Sequence, residues 1–341
     1  MLVISNPCRL LVTADDRTGA LEIGGAVGNA EFLVPVGPYA ESDICCTIDL
    51  NSRHLSASEA YKKTLEAHRR PADKRCHKMD SGMRGNWPHE VQALVDLGHL
   101  VAVVPSYPAA GRRCRNGVVY INDVPVLDSV FGKDPFAAPV SNRPTEVLEH
   151  AGCLTNNVVV WDADNTRELE AAISRCRKEN RVLVGPTGAI STYAEQLFGK
   201  LERRDIVIPH PILVVCGSLS GVSRDQLERL DCPRFGLDDD LDCSLPLAVL
   251  ETEFVQGQVD VEDGKMVAEE IASKVSDVFD RGTATLLIIG GDTATEIIGD
   301  RTLEVLGEVD TAIPVSRVEA GFIVTKGGAI GTPTTLKKIC Q

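Results

Sequence analysis

Short runs of apolar, β-branched residues alternate with longer amphipathic stretches through most of the chain. The runs at 9–14, 101–104, Ile212–Cys216 and Thr285–Ile289 are continuous and apolar, as expected of strands covered on both faces. Between such runs, stretches such as Ala57–His68 have helical spacing. This alternation predicts βαβ units, and therefore an α/β protein whose sheets are largely parallel and flanked by helices.

The same pattern extends along the whole sequence and divides it. It predicts further strands at 44–48, 158–161, 181–184 and Leu247–Glu251, and further helices at 88–97, 166–176 and 267–280. Residues 107–144 are rich in Gly, Pro, Asn and Asp, and predict a loop with a short hairpin. A length of 341 residues predicts two domains. The proline-flanked segment 203–211 is the predicted boundary, giving domains 1–205 and 206–341.

Composition excludes several classes of partner and site. The net charge of −14 disfavours nucleic acid, and no apolar run approaches the roughly 20 residues of a membrane helix. No basic leader with a cleavage site opens the chain, so a cytoplasmic protein is expected. The 11 cysteines form no C-x-x-C, and H-E-x-x-H is absent, so reduced thiols and no metal site are predicted.

Two polar clusters follow predicted strands in the first half of the chain. Asp15 and Asp16 follow the first strand, where buried carboxylates are costly unless they bind a cation or a substrate. The alternative is that one of them caps a helix at 21–27 and the other is solvated. Residues 77–85, HKMDSGMRG, place Lys78 and Arg84 among glycines, and both side chains are predicted to hold a carboxylate or phosphate. A solvated turn is the alternative there.

Three glycine-bearing turns follow strands in the C-terminal third. They contain Gly217-Ser218, Gly290-Gly291-Asp292-Thr293 and Lys326-Gly327-Gly328-Ala329-Ile330-Gly331. Together they predict a nucleotide cradle, because glycine lets the backbone approach a phosphate closely. Ser223 with Gln226, and Thr293 with Glu296, match the capping-box pattern at helix starts. No G-x-x-x-x-G-K-[ST] occurs and no G-x-G-x-x-G follows a strand, which excludes a P-loop kinase and disfavours a dinucleotide fold.

In order along the chain, these motifs resemble those of the four-carbon acid sugar kinases. The matching segments are ADDRTGA at 14–20, NSR at 51–53, KMDSGMRG at 78–85, VVPSYPAAGR at 103–112, FGKDP at 131–135, CGSLSGVSRDQL at 216–227, GGDTA at 290–294 and TKGGAIG at 325–331. The chain departs from the family pattern at Arg17, where an apolar residue is usual, and at Gly82-Met83, where Thr-Leu is usual.

The resemblance implies ATP-dependent phosphorylation of a terminal hydroxyl of a four-carbon sugar acid, such as threonate, erythronate or an oxo-tetronate. It implies that the N-terminal domain binds the acid, that the C-terminal domain binds ATP with Mg²⁺ on its phosphates, and that the active site lies in an interdomain cleft. The implied acid-sugar site is lined by Asp15, Asp16, Arg53, Lys78, Asp80, Ser81 and Arg84. The implied nucleotide site is lined by Ser218, Gly290, Gly291, Asp292, Thr293, Lys326, Gly327, Gly328 and Gly331.

Within the implied acid-sugar site, Arg53, Arg84 and Lys78 are expected to hold the carboxylate and neighbouring hydroxyls. Either Asp15 or Asp80 is expected to orient or deprotonate the attacking hydroxyl. Two other functions remain open at the sequence level. One is a sugar-acid-binding protein that has lost catalysis, and the other is an NAD(P)-dependent oxidoreductase acting on the same acids. The particular acid, its stereochemistry and the oligomeric state, for which a homodimer is one expectation, do not follow from the residues.

Overall fold

The chain divides into two units by its internal contacts. The computed structural model describes residues 7–134, 137–252 and 261–341. The first unit comprises residues 1–23 and 35–201, and the second comprises 24–34 and 202–341. The change of unit at 201/202 lies close to the boundary predicted at 205/206. Residues 24–34, which the sequence placed in the first domain, group with the second unit.

The first unit is built on a parallel sheet. Its elements are β1 (Cys8–Ala14), α1 (Arg17–Val27, of which the part from Gly24 groups with the second unit), β2 (Val34–Gly37), β3 (Cys45–Asp49), α2 (Ala57–His68), β4 (Ala72–Lys78), α3 (Trp87–Asp96), β5 (Val101–Val103), β6 (Arg112–Arg115), β7 (Val118–Ile121), β8 (Val124–Pro125), α4 (Pro144–His150), β9 (Val158–Val160), α5 (Thr166–Lys178), β10 (Val182–Gly185) and α6 (Thr187–Phe198). The strand order is β2-β3-β1-β4-β10-β5-β9, with parallel pairing throughout.

Strands β5, β9 and β10, helices α3 and α4, and the hairpin of the first unit share one apolar core. Trp87 of α3, Val103 of β5, Val119 of β7 and Leu148 of α4 belong to a single buried cluster. The segment predicted as a loop with a hairpin contains the antiparallel strands β6, β7 and β8, so that prediction is confirmed. The hairpin is therefore packed into the unit, and the residues on it have fixed positions.

The second unit has a mixed sheet. Its elements are β11 (Ile212–Cys216), α7 (Gly221–Leu227), β12 (Arg234–Phe235), β13 (Leu247–Glu251), α8 (Val261–Lys274), β14 (Thr285–Ile289), α9 (Gly291–Ile298), β15 (Leu303–Asp310), β16 (Ile313–Val318), β17 (Gly321–Lys326) and α10 (Thr335–Ile339). The order β12-β13-β11-β14-β17 is parallel, and β16 and β15 continue it in antiparallel pairing. The predicted α/β class with largely parallel sheets is confirmed.

Several predicted elements shift or were missed. Helix α8 begins at Val261 and ends at Lys274, so the prediction of 267–280 was displaced. β4 was missed because its sequence, ADKRCHK, is polar, although it pairs with β1 on one side and β10 on the other. All 11 cysteines are free, as predicted. Among the described residues, no helix has both the length and the apolar character needed to cross a membrane.

Candidate functional site

The carboxyl ends of β1, β3 and β4 meet at one edge of the first unit's sheet. Ala14 at the end of β1 pairs with Asp49 of β3 on one side and with Lys78 of β4 on the other. In parallel α/β sheets, ligands bind at this edge. The segments that follow the three strands therefore lie side by side: residues 15–16 after β1, 50–53 after β3 and 79–85 after β4.

Asp15 and Asp16 share two cations. Asp15 accepts hydrogen bonds from Nε of Arg53 at 2.8 Å and from Nζ of Lys78 at 3.0 Å. Asp16 Oδ1 lies 2.9 Å from Nη2 of Arg53 and 2.8 Å from Nζ of Lys78. Burial raises the pKa of Asp15 despite the two cations. Burial also acts upward on the pKa of Asp16, but there the charges of Arg53 and Lys78 prevail and lower it. Asp15 therefore has the greater proton affinity of the two.

Asp80 anchors the turn that follows β4. Its Oδ2 accepts from the backbone N–H of Gly82 at 2.9 Å and from that of Arg84 at 3.3 Å. The Arg84 side chain donates to Oδ2 through Nε at 3.0 Å and to Oδ1 through Nη2 at 2.9 Å. Burial would raise the pKa of Asp80, but Arg53 and Arg84 prevail and lower it. Because four N–H groups already occupy its oxygens, Asp80 is suited to holding the turn and poorly suited to accepting a proton.

Arg84 extends from this turn towards solvent. Its Nη1 donates to Asp134 at 2.8 Å, and its guanidinium lies 4.9 Å from the centroid of the Phe131 ring. The guanidinium of Arg112 lies 5.9 Å from the same centroid. The Arg84 side chain is 24% exposed, so an anion can reach it. Phe131 occupies the space that a side chain at position 82 would need, which accounts for Gly82 at a position where Thr is usual.

The sequence-based set of site residues did not include Arg112, Phe131 and Asp134. All three come from the Gly- and Pro-rich segment 107–144, which predicted only a loop and a hairpin. The available signal was the motifs at 103–112 and 131–135, of which Pro135 lies outside the described residues. Ser81, which was in the predicted set, is half-buried in the turn anchored by Asp80.

A chain of hydrogen bonds among buried side chains joins β1, β4, α2 and α3. Ser52 Oγ donates to one oxygen of Glu90, and the other lies 3.0 Å from Nε2 of His77. Nδ1 of His77 and Nε2 of His68 each lie 2.8 Å from Thr13 Oγ1. Burial lowers the pKa of His68 well below its ordinary value, so this ring is neutral. One pattern satisfies the chain: His68 donates to Thr13, Thr13 to His77, and His77 to Glu90.

These buried hydrogen bonds fix the backbone that carries two cations of the site. Ser52 precedes Arg53, and His77 precedes Lys78. Asn86, the N-cap of α3, reinforces the same loop by donating to the backbone carbonyls of Ser52 at 2.9 Å and Arg53 at 3.4 Å. The charged groups that reach the site therefore rest on buried, hydrogen-bonded supports.

In the second unit, the carboxyl ends of β11, β14 and β17 lie next to one another. Ile289 at the end of β14 pairs with Cys216 of β11 on one side and with Lys326 of β17 on the other. The backbone N–H of Gly290 donates to the carbonyl of Lys326 at 3.1 Å. The three glycine-bearing turns predicted from sequence therefore follow three adjacent strands.

These turns pack so closely that side chains have no room at two glycines. A Cβ on Gly217 would overlap Thr293 Oγ1, and a Cβ on Gly328 would overlap Ser218 Oγ. Gly290 has φ +120°, a conformation that favours glycine, and is the N-cap of α9. The glycines thus let the Thr293 and Ser218 side chains pack directly against the turns, and backbone N–H groups at such turns can form a cradle for an anion.

Both capping boxes predicted in this unit were wrong. The N-cap of α7 is Ser220 and that of α9 is Gly290, and neither makes a side-chain cap hydrogen bond. Thr293 is buried within the first turn of α9. Ser223 and Gln226 are fully buried and contact the turn after β17 instead of the start of their own helix.

Lys326 carries a charge into the interior of the second unit. Its side chain is 1% exposed, and its Nζ donates to Ser223 Oγ and to the Gly327 carbonyl, each at 3.1 Å. Burial lowers the pKa of Lys326 to about 8, so the ammonium is largely retained at neutral pH. Asp292, in the first turn of α9, is exposed. In ranges 7–134, 137–252 and 261–341, no cluster of three or more His, Cys, Asp or Glu is suited to hold a metal ion.

Comparison with known proteins places most of the first unit in a family. Residues 10–184 match the family described as a sugar-binding N-terminal domain. The chain is 27% identical to a D-threonate kinase of Cupriavidus necator and 25% identical to one of Salmonella typhimurium, and each alignment covers 96% of both proteins. A 3-oxo-tetronate kinase of Brucella melitensis is 26% identical over 47% of this chain and 42% of its own length.

Solved structures share the fold. A crystal structure from Salmonella typhimurium has a TM-score of 0.78 at 17% identity, covering 97% of this chain and 98% of the other. A Haemophilus influenzae structure has a TM-score of 0.71 at 18% identity, covering 96% of this chain and 98% of the other. At such identities the likeness establishes the architecture alone.

Proposed function

Because this chain belongs to the four-carbon acid sugar kinase family, we propose that it transfers the γ-phosphoryl group of ATP to a terminal hydroxyl of a four-carbon sugar acid. The kinase names of the relatives support a sugar-acid kinase. The observation that carries the finer proposal is the charged cluster at the ends of β1, β3 and β4, which lies inside the matched region.

The cluster suits a ligand that combines a carboxylate with hydroxyl groups. Such a ligand needs cations for its carboxylate and acceptors for its hydroxyls. Arg84, partly exposed and held over Phe131, has two N–H groups beyond the three that pair with Asp80 and Asp134, and these suit a carboxylate. Asp16, whose side chain is 23% exposed, presents an acceptor beside Arg53. We therefore assign Arg84 to the acid group and Asp16 to a hydroxyl.

Asp15 is the better candidate for the base. Burial raises its pKa, whereas the pKa of Asp80 is lowered and its oxygens already accept four N–H groups. A general base works best when its pKa lies near the pH at which the enzyme operates. In this assignment Asp15 accepts the proton of the attacking hydroxyl, and Arg53 and Lys78 stabilise the charge that develops beside it.

The second unit suits the nucleotide. Ser218, Gly290, Gly291, Thr293, Gly327, Gly328 and Gly331 lie on the three adjacent turns or at the start of α9. Backbone N–H groups at such turns, with the dipole of α9, favour phosphate oxygens. ATP would enter as its magnesium complex, with the ion held mainly by phosphates and water and with Asp292 as the carboxylate within the cradle. Residues 1–205 would thus bind the acid and 206–341 the nucleotide.

The test is ADP release in the presence of ATP, magnesium and each four-carbon acid in turn, followed for the native chain and for Arg84→Ala. We expect one or more acids to stimulate release. Arg84→Ala should lower kcat/KM for the acid about 10- to 100-fold, because a charge-assisted contact is lost. ADP affinity measured by calorimetry should be unchanged.

Arg113→Ala is the matched control, since Arg113 pairs with Asp123 at 3.2 Å on the hairpin of the same unit and is 36% exposed. It should leave kcat/KM unchanged. Acid binding without ADP binding would overturn the proposal in favour of a binding protein. An absorbance change with NAD(P) and the acid would overturn it in favour of an oxidoreductase.

A further inference from the structure

The turn after β17 is bonded from one side by donors of α7. Ser223 Oγ donates to the carbonyl of Gly328 at 2.5 Å. Nε2 of Gln226 donates to the carbonyls of Ile330 at 3.1 Å and Thr332 at 2.8 Å. Ser223 and Gln226 are both 0% exposed. A seven-residue helix thus holds three carbonyl groups of a turn about 100 residues further along the chain.

Lys326 completes this set of donors. Its Nζ donates to the carbonyl of Gly327 and to Ser223 Oγ, each at 3.1 Å. The hydroxyl of Ser223 therefore accepts a hydrogen bond from Lys326 and donates one to the carbonyl of Gly328, which fixes the orientation of its O–H bond. Within the described part of the chain, no carboxylate forms an ion pair with Lys326.

A hydrogen bond that fixes a backbone carbonyl group also fixes the direction of the N–H group in the same peptide unit. In a planar trans peptide, the C=O of one residue and the N–H of the next point in opposite directions. Because the carbonyls of Gly327, Gly328 and Ile330 point towards α7 and Lys326, the N–H groups of Gly328, Ala329 and Gly331 point away from them. None of these three N–H groups has an acceptor among the residues that the structure describes.

We propose that Ser223, Gln226 and Lys326 are positioning residues that aim the N–H groups of the turn after β17 at the phosphate chain of the nucleotide. The inference rests on the proposed function for the identity of the ligand. None of the three side chains needs to touch the nucleotide. Donors fixed before binding do not have to be ordered when the anion arrives, so their alignment increases affinity.

The charge of Lys326 adds to the effect of geometry. The ammonium lies against Gly327, and burial in surroundings of low dielectric extends its influence on a nearby anion. Ser218, which packs against Gly328, lies on the neighbouring turn, so a shift of the turn after β17 would also disturb the first turn of the cradle. The three turns are therefore supported together.

The experiment compares Ser223→Ala and Gln226→Leu with the native chain. Each variant should raise the KM for ATP and weaken ADP binding by about three- to tenfold, the effect of one or two hydrogen bonds. The KM for the sugar acid, and kcat at saturating ATP, should stay at native values. Ser223→Thr, which keeps the hydroxyl, should restore ATP affinity at least in part.

Thr285→Val is the matched control. Thr285 is fully buried at the start of β14, and its Oγ1 donates to the carbonyl of Pro209 at 2.8 Å, so the variant also loses one buried hydroxyl–carbonyl bond. It should lower the melting temperature without changing ADP affinity. ADP affinities equal to native in Ser223→Ala and Gln226→Leu, or a loss as large in Thr285→Val, would overturn the inference. Failure of the native chain to bind ADP would instead overturn the proposed function.

Discussion

Asp49 and Asp80 are both buried carboxylates, yet their pKa values are shifted in opposite directions from the ordinary value. Burial raises the pKa of Asp49 to about 6, because Arg17 at 2.9 Å and the N–H of Asn51 compensate it only in part. For Asp80, burial acts the same way, but Arg53 and Arg84 prevail and the pKa falls. The donors and positive charges around a buried carboxylate thus decide whether its pKa lies above or below its ordinary value.

The raised pKa of Asp49 makes a prediction about stability. The folded protein holds this proton more tightly than the unfolded chain does, so the contribution of Asp49 to the free energy of unfolding falls as pH rises from about 4 to about 6. Asn does not titrate. The unfolding free energy of Asp49→Asn relative to native should therefore increase with pH across this range by roughly 3 kcal/mol.

Urea unfolding at pH 4, 5, 6 and 7 measures the effect. Asp123→Asn is the control, because Asp123 is 67% exposed and reports the removal of a surface carboxylate. A stability difference between Asp49→Asn and native that is constant with pH would show that the Arg17 pair compensates the burial of Asp49 fully.

At the scale of elements, the buried hydrogen-bond chain from Ser52 to His68 links β1, β4, α2 and α3 with the loop after β3. Glu90 of α3 is central, because both of its oxygens accept hydrogen bonds, from Ser52 and from His77. Glu90→Gln replaces one acceptor with an NH₂ group that faces a donor. We expect the free energy of unfolding to fall by about 1–3 kcal/mol, the cost of a buried mismatch.

The same variant should raise the KM for the sugar acid, since Ser52 and His77 adjoin Arg53 and Lys78. Gln92→Ala is the control on the same helix, because Gln92 makes an exposed hydrogen bond to Asp96. It should change stability by no more than about 0.5 kcal/mol. If the free energy of unfolding of Glu90→Gln equals that of Gln92→Ala, the buried hydrogen bonds of Glu90 do not support the site.

Sequence reasoning succeeded where local pattern and environment agree. The apolar strands β11, β13 and β14 were predicted with their observed bounds, because continuous burial leaves a continuous apolar run. β4 was missed because its polar side chains take part in the buried hydrogen-bond chain and the charged cluster, contacts that only the folded chain creates.

The same limit explains the errors around the glycine-bearing turns of the second unit. Ser223 and Gln226 have the spacing of a capping box, but their partners lie on a turn far along the chain. A local pattern carries no information about such a partner. The positions of Arg112, Phe131 and Asp134 beside the Asp80 turn likewise depend on packing of the hairpin segment, which its loop-like composition does not reveal.

At the scale of the whole molecule, each unit has its own apolar core. Trp87 and Leu148 belong to the core of the first unit, and Val214 and Leu287 belong to that of the second. Separate cores mean that the stability of each unit depends on its own contacts. A ligand therefore protects most strongly the backbone of the unit it binds.

Hydrogen exchange on the full chain tests this division. Saturating D-threonate should slow exchange at residues 50–53 and 79–85, and ADP should slow it at 217–220, 290–293 and 327–331. Slowing of up to about 100-fold is expected at ligand concentrations near 100 times Kd. Protection of the second unit's turns by D-threonate alone would contradict the assignment of ligands to units.

The order of segments along the chain has a consequence for biosynthesis. All residues of the first unit lie before residue 202, whereas the three adjacent turns of the second unit extend from the turn after Cys216 to the turn after Lys326. Since the ribosome makes the N-terminal part first, a nascent chain would complete the charged cluster at the ends of β1, β3 and β4 well before the three glycine-bearing turns. Under the proposed function, the growing polypeptide would thus recognise the acid while it is still unable to consume ATP.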